Sequence, residues 1–214
     1  MELRRGFHEQ VDELNAELLR MGSVVVETIE RTRQAFVRFD KDLCRQIVED
    51  DDIVDDYRKR VEETGFELIA RQAPVAVDLR KLIVIMRLAQ HLERMADLCV
   101  NVCKSMESLD EQRISDWIRE SINDMGVKAV QLAEQAITCY RTADLAMADD
   151  LEDQDDAIDR VNRRFFREFK STGEEDIETA IRIVMISRFF ERIGDNAVDV
   201  GEHVRFMLTG SGTL

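Results

Sequence analysis

The chain repeats itself, and an internal repeat is the strongest limit a sequence sets on its own fold. A shift of 104 positions lays Met21-Gly22 on Met125-Gly126 (125 − 21 = 104), Val26 on Val130, Glu30 on Glu134 and Asp40 on Asp144. Asp51, Asp52 and Asp55 then fall on Asp155, Asp156 and Asp159. From Asp78 onward the shift is 98 (176 − 78 = 98), which pairs Ile83 with Ile181 and Glu93 with Glu191. The second copy is therefore shorter by six residues (104 − 98 = 6), lost between Glu67 and Asp78 of the first. A loop tolerates such a change, so a loop is expected there.

Only one proline and nine glycines occur in 214 residues, and 35% of the residues are charged. That composition predicts long helices and an all-α chain. Each copy reads as three helices: about 7–39, 41–70 and 74–106, then about 114–141, 145–170 and 175–207. Asp40 is expected to cap the second helix, Pro74 to occupy the first turn of the third, and Ser171-Thr172-Gly173 to stop the fifth. The expected architecture is two tandem three-helix bundles related by an internal pseudo-twofold, residues 1–108 and 109–209, with a disordered tail at 210–214.

The motif that recurs most closely is Leu92-Glu93-Arg94-Met95-Ala96-Asp97 against Phe190-Glu191-Arg192-Ile193-Gly194-Asp195. At 100° per residue from Glu93, Leu88, Leu92, Met95, Leu98, Cys99, Val102 and Met106 span about 140° to 260°. Glu93, Asp97 and Asn101 fall at about 0°, 40° and 80°. Ile186, Phe190, Ile193, Ala197, Val200 and Val204 repeat the apolar stripe in the second copy, and Glu191, Asp195 and Asp199 the acidic one. This phase predicts the acidic face opposite the core. Like charges four residues apart cost about 0.2–0.5 kcal/mol per pair, and a bound cation reverses that sign. Asp51 with Asp55, and Asp155 with Asp159, add a second stripe to each copy. All-oxygen ligation suits hard cations such as Mg²⁺, Mn²⁺ or ferric iron more than structural zinc. The competing explanation is a solvated helix face. Arg94 and Arg192 sit beside the stripes, where they bridge carboxylates or support a bound oxyanion.

With 45 acidic against 30 basic residues the net charge is −15. A field of that sign repels nucleic acid and anionic lipid. No apolar stretch reaches the ~18–20 residues of a membrane span, and no signal-peptide pattern opens the chain, so a cytoplasmic protein is expected. None of the three histidines follows a Glu-x-x-His pattern, which argues against a di-iron oxidase. There is no phosphate-binding glycine loop and no Gly-x-Ser-x-Gly elbow. Cys99 and Cys103 read as buried thiols, His91 as a packing histidine at the core's edge, and Trp117 with Phe165, Phe166 and Phe169 as core.

Together these motifs resemble the PhoU family of bacterial phosphate-signalling regulators. The resemblance rests on the two Glu-Arg-x-x-Asp runs, on Phe7-His8-Glu9-Gln10, on Gln72-Ala73-Pro74-Val75-Ala76-Val77-Asp78-Leu79-Arg80 and on the Asp51/Asp55 element, and it covers nearly the whole chain. It implies metal clusters on the bundle surface, with iron, manganese, magnesium or zinc as the ion. The first would use Glu93, Asp97 and Asn101 with Asp51 and Asp55, the second Glu191, Asp195 and Asp199 with Asp155 and Asp159. Asn101 stands where the second copy has Asp199, so the second site is expected to bind more strongly. The resemblance also implies a negative regulator of the phosphate-starvation response. Its partners would be a phosphate ABC transporter ATPase and a sensor histidine kinase. Membrane association would come only through those partners, and a homodimer is compatible with this. Two other readings stand beside it: a metal-dependent hydrolase using the carboxylates, which lacks a distinct general base, and a purely structural helical module.

Overall fold

A computed structural model describes residues 2–170 and 176–211, which form seven α-helices and no strand. They are α1 (Glu2–Arg38), α2 (Lys41–Glu49), α3 (Asp51–Gln72), α4 (Ala76–Glu107), α5 (Asp116–Thr142), α6 (Leu145–Phe169) and α7 (Ile177–Thr209). The repeat is legible in the backbone. Both the α1–α2 and the α5–α6 turns pass through a left-handed residue, Phe39 and Ala143 (39 + 104 = 143). An aspartate cap follows each. Asp40 accepts from the Leu43 amide at 2.9 Å, and Asp144 from the Ala146 amide at 2.9 Å. These bonds satisfy amides that the first helical turn leaves unpaired.

One bundle is α1 with α2, α3 and α4; the other is α5 with α6 and α7. They join side by side, α4 on α7 and α1 on α5, and their buried apolar side chains form one continuous cluster. Equivalent glycines allow the α1–α5 approach. A Cβ at Gly22 would lie 2.7 Å from Ile137 Cδ1, and one at Gly126 2.6 Å from Arg33 Cγ. Every apolar residue named for the stripes of α4 and α7 is buried, as are all four cysteines, which are unpaired thiols. Phe165 and Phe169 are buried, and Trp117 stacks on Phe165 with ring centroids 5.4 Å apart. Phe166 is only half-buried.

Three local expectations are corrected. The second helix is broken at Asp50, which pairs with Arg31 at 2.8 Å. Asp50 lies in the run Glu49-Asp50-Asp51-Asp52, where like charges and a residue of low helix propensity weaken the helix. Pro74 lies before α4, not within it; Val75 is the cap residue, extended as a residue near a helix start has to be. The length difference between the copies is not confined to a loop. α3 runs to Gln72, whereas the position equivalent to the end of α6 is Gly65 (169 − 104 = 65). The expected stop at Ser171-Thr172-Gly173 and the tail beyond Ser211 lie outside the described residues.

Candidate metal centre

The two acidic stripes of the second copy meet in a groove between α6 and α7. Asp155 and Asp159 come from α6, Glu191 and Asp195 from α7. They are close enough that Asp195 and Asp159 raise Glu191, Asp159 raises Asp195, and Asp195, Asp159 and Glu191 raise Asp155 by charge repulsion, in each case after burial. The expectation that this face lies opposite the core is overturned at Glu191, which is only 7% exposed. A helix in a three-helix bundle has neighbours on two sides, and α6 covers the flank of α7 that the phase argument left to solvent.

Burial leaves charge uncompensated there. Arg188 donates to Glu191 Oε1 at 2.5 Å, but Glu191 Oε2 is buried with no hydrogen-bond partner. Asp155 Oδ1 is in the same condition, and so is Oδ1 of Asn162, which is 3% exposed. Asn162 stands three residues beyond Asp159 and seven beyond Asp155, on the same face of α6. Unpaired buried oxygens cost about 1–3 kcal/mol each, so three in one bundle call for a donor or a cation. Gly194 admits one of them: a Cβ there would lie 2.8 Å from Asp155 Oδ1. Burial, with Asp195 next in weight, pushes Asp155 up to about 6. Burial and Asp195 also raise Glu191, and burial with Asp159 raises Asp195. Arg188, then Arg192, ease the repulsion at Glu191 and Asp195, and Arg163 lies 3.8 Å from Asp159. The donor set is all oxygen and anionic, which fits a hard cation. Among the described residues no three His, Cys, Asp or Glu side chains form a finished metal cage; the carboxylates converge without closing.

Asp199 faces another way. Its Oδ2 is 3.5 Å from His91 Nδ1 across the α4–α7 seam. His91 Nδ1 is also 3.1 Å from Asn196 Oδ1, and its Nε2 is 3.1 Å from His203 Nε2. Two acceptors at Nδ1 place the His91 proton there, so Nε2 accepts from His203. Burial, then the neighbouring His91, depress His203 to about 4. His91 is therefore a hydrogen-bonded seam residue and more than packing.

The first groove, between α3 and α4, holds Asp51, Asp55, Glu93 and Asp97. Burial, then Asp55 and Asp97, raise Asp51; burial, then Asp97, raise Glu93. Here a further guanidinium, from α3 itself, enters the cluster. Arg58 Nε lies 3.6 Å from Glu93, and its Nη1 is 2.9 Å from Glu62. Arg94 reaches Asp97 at 3.9 Å, and Lys104 acts on Asp51. The position equivalent to Arg58 is Asn162 (58 + 104 = 162), and that of Lys104 is Glu202 (104 + 98 = 202). Asn101 is half-buried, and its carbonyl accepts from Ser105 at 2.7 Å. Sequence reasoning missed Arg58 and Asn162, although aligning the copies pairs them directly and both lie on the aspartate-bearing face.

The PhoU domain matches residues 18–106 and again 122–204. The offsets at the two ends are 122 − 18 = 104 and 204 − 106 = 98, the two registers of the repeat. The chain belongs to the PhoU domain family. The phosphate-specific transport system accessory protein PhoU homolog of Clostridium acetobutylicum is 31% identical over 211 residues, covering 97% of this chain and 96% of that one. PhoU homolog 2 of Mycobacterium tuberculosis, of the same description, is also 31% identical, over 98% of this chain and 99% of its own. Two crystal structures share the PhoU fold. PhoU from Pseudomonas aeruginosa has a TM-score of 0.90 at 26% identity, over 96% of this chain and 100% of that one. The phosphate transport regulatory protein PhoU from Streptococcus pneumoniae has a TM-score of 0.89 at 23% identity, over 97% and 99%.

Proposed function

We propose that this PhoU-domain chain is an accessory regulator of phosphate-specific transport that holds a hard cation in its second groove. It acts as a cytoplasmic adaptor between the phosphate ABC transporter ATPase and a sensor histidine kinase, and keeps the phosphate-starvation response off. The curated relatives' description as phosphate-specific transport system accessory proteins supports the transport role. No helix among the described residues is long and apolar enough to cross a membrane, which fits association through partners.

The observation that carries the metal is the set of buried, unpaired oxygens on Asp155, Asn162 and Glu191. Asp155, Asp159, Glu191 and Asp195 would hold the ion, with Asn162 as a neutral oxygen donor and Asp199 at the margin. Manganese, magnesium and iron fit this donor set better than zinc, which favours nitrogen and sulfur. When bound, the ion supplies the positive charge that Arg58 supplies in the first groove. Asp51, Asp55, Glu93, Asp97 and Asn101 form the weaker set, because Arg58, Arg94 and Lys104 already neutralise it. The cluster offers no base distinct from the carboxylates, so we read the ion as structural or regulatory and not as catalytic.

The adaptor is tested by pull-down with the tagged chain from cells grown at high and at low phosphate. Recovery of the transporter ATPase and a sensor kinase, changed by phosphate supply, is expected. Recovery of neither rejects the adaptor.

A further inference from the structure

α4 and α7 are equivalent helices, and each begins with an apolar row. On α4, Leu79 and Ile83 are half-buried. Their equivalents on α7 are Ile177 and Ile181 (79 + 98 = 177, 83 + 98 = 181), which are 73% and 57% exposed. Met185 follows one turn later at 42%.

The two rows also differ in what stands beside them. The last turn of α7 reaches the start of α4. Arg80 stands over the Phe206 ring at 5.6 Å and donates to the Met207 carbonyl at 3.4 Å. Gly210, at φ +74°, comes so near that a Cβ would lie 2.7 Å from Arg80 Nη1. α4 has no matching turn. It ends at Glu107, and Ser108 stands where α7 has Phe206 (206 − 98 = 108). Leu109 then buries itself, with its carbonyl held by Lys41 Nζ at 2.9 Å. Among the described residues a groove of about 520 Å³ stays open beside Ser105, Ile177, Ile181, Met185 and Phe189, with the Glu178–Arg182 pair at its edge. Exposed apolar rows of this kind mark interaction sites.

The charge at the edge is also reversed. Arg80 meets the carbonyl end of a helix, whereas its equivalent is Glu178 (80 + 98 = 178). Glu178 pairs with Arg182 at 2.7 Å, yet its side chain is 72% exposed. A carboxylate there repels carbonyl oxygens and attracts a cation.

We propose that the open groove at the start of α7 docks an amphipathic helix of a basic partner protein. Apolar side chains at i and i+4 lie over Ile177, Ile181 and Met185, and a lysine or arginine meets Glu178. This is the helix-in-groove mode of recognition, and the chain's −15 charge draws a basic partner. A second copy fits less well: its Phe206 turn already covers its own α4, and both surfaces are acidic. The proposal rests on the adaptor reading only in taking the occupant to be another protein.

The probe is a fluorescein-labelled, stapled helical peptide with leucine and phenylalanine at i, i+4 and i+7 and lysines on its flanks, with a glutamate-flanked twin as control. Fluorescence anisotropy should show the lysine peptide binding at least tenfold tighter than its twin. Ile181→Asp, at an exposed position that leaves the fold intact, should abolish binding, and Glu178→Lys should invert the preference between peptides. Binding that ignores Ile181→Asp, or a preference unmoved by Glu178→Lys, overturns the proposal. So does a dimer in sedimentation velocity that Ile181→Asp dissociates, because the occupant is then a second copy. If the peptides fail while pull-down still recovers the transporter ATPase, this surface is rejected and the adaptor stands.

Discussion

The two acidic grooves have the same backbone plan but neutralise their carboxylates to different extents: Arg188 reaches one oxygen of Glu191 in the second, yet buried oxygens there remain unpaired. Both bring two stripes of carboxylates together between helices. The first groove neutralises them from within, with Arg58 at 3.6 Å from Glu93. In the second, Asn162 takes that place, and oxygens on Asp155, Asn162 and Glu191 stay unpaired. Glycine at 194 brings Asp155 against α7, whereas Ala96 fills the equivalent position. A repeat can thus keep a site's geometry in both copies while one copy replaces an external ion by a guanidinium. The observation also changes the reason for expecting the second copy to bind more strongly. Asp199 against Asn101 matters less, because Asp199 turns to His91.

The sharpest way to break this comparison is to exchange the residues that distinguish the grooves. Mn²⁺ at about 100 times its Kd should stabilise the chain by about 2.7 kcal/mol, a rise in melting temperature of roughly 5–10 °C for a protein of this size. Asn162→Arg should remove that rise without lowering the metal-free melting temperature, since it copies the first groove. A full metal response in Asn162→Arg would show that the ion sits elsewhere. Asp195→Ala should also remove most of the response.

A smaller effect concerns protons. Asp155 is pushed up to about 6 when folded, against about 3.9 for a free aspartate. The sign follows from linkage: the folded state binds the proton more tightly, so this stabilisation is full below about pH 4 and lost as pH rises through about 6. At pH 7, without metal, the ionised carboxylate is a liability. Asp155→Asn should then be more stable than the parent by about 1–2 kcal/mol, allowing for its partial exposure. The advantage should vanish near pH 4. Urea denaturation at pH 4 and pH 7 measures this, and a destabilised variant at pH 7 would contradict the unpaired-charge account.

The smallest effect tests the first groove. Arg58→Asn should destabilise the metal-free chain by about 1 kcal/mol, because the pair with Glu93 is only partly buried. It should also give the first groove a metal response of its own, read as a second Mn²⁺ in calorimetric titration. A single Mn²⁺ in both parent and variant would mean that Arg58 is not what closes that groove.

Much of the fold was legible in the chain because it rests on local rules. Helical period predicted the burial of the apolar stripes named on α4 and α7, and Asp40 marked one helix start. Phase alone erred at Glu191, since it assigns a helix one inside and one outside, while a bundle presses on a helix from two directions. It also could not say where the extra residues of the first copy go, because α3 lengthens without any change in pattern.

The sequence by itself determined the repeat, its two registers, the helix content apart from the break at Asp50, and the six aspartates and two glutamates that recur in register in the two copies. These follow from periodicity and chain-local energetics. Only the tertiary structure decided which carboxylates are compensated. Whether Arg58 reaches Glu93, whether Asp199 joins Asp195 or His91, and whether the start of α7 is covered all depend on contacts between residues far apart in the chain. Burial then multiplies their electrostatic weight, and no local pattern encodes that.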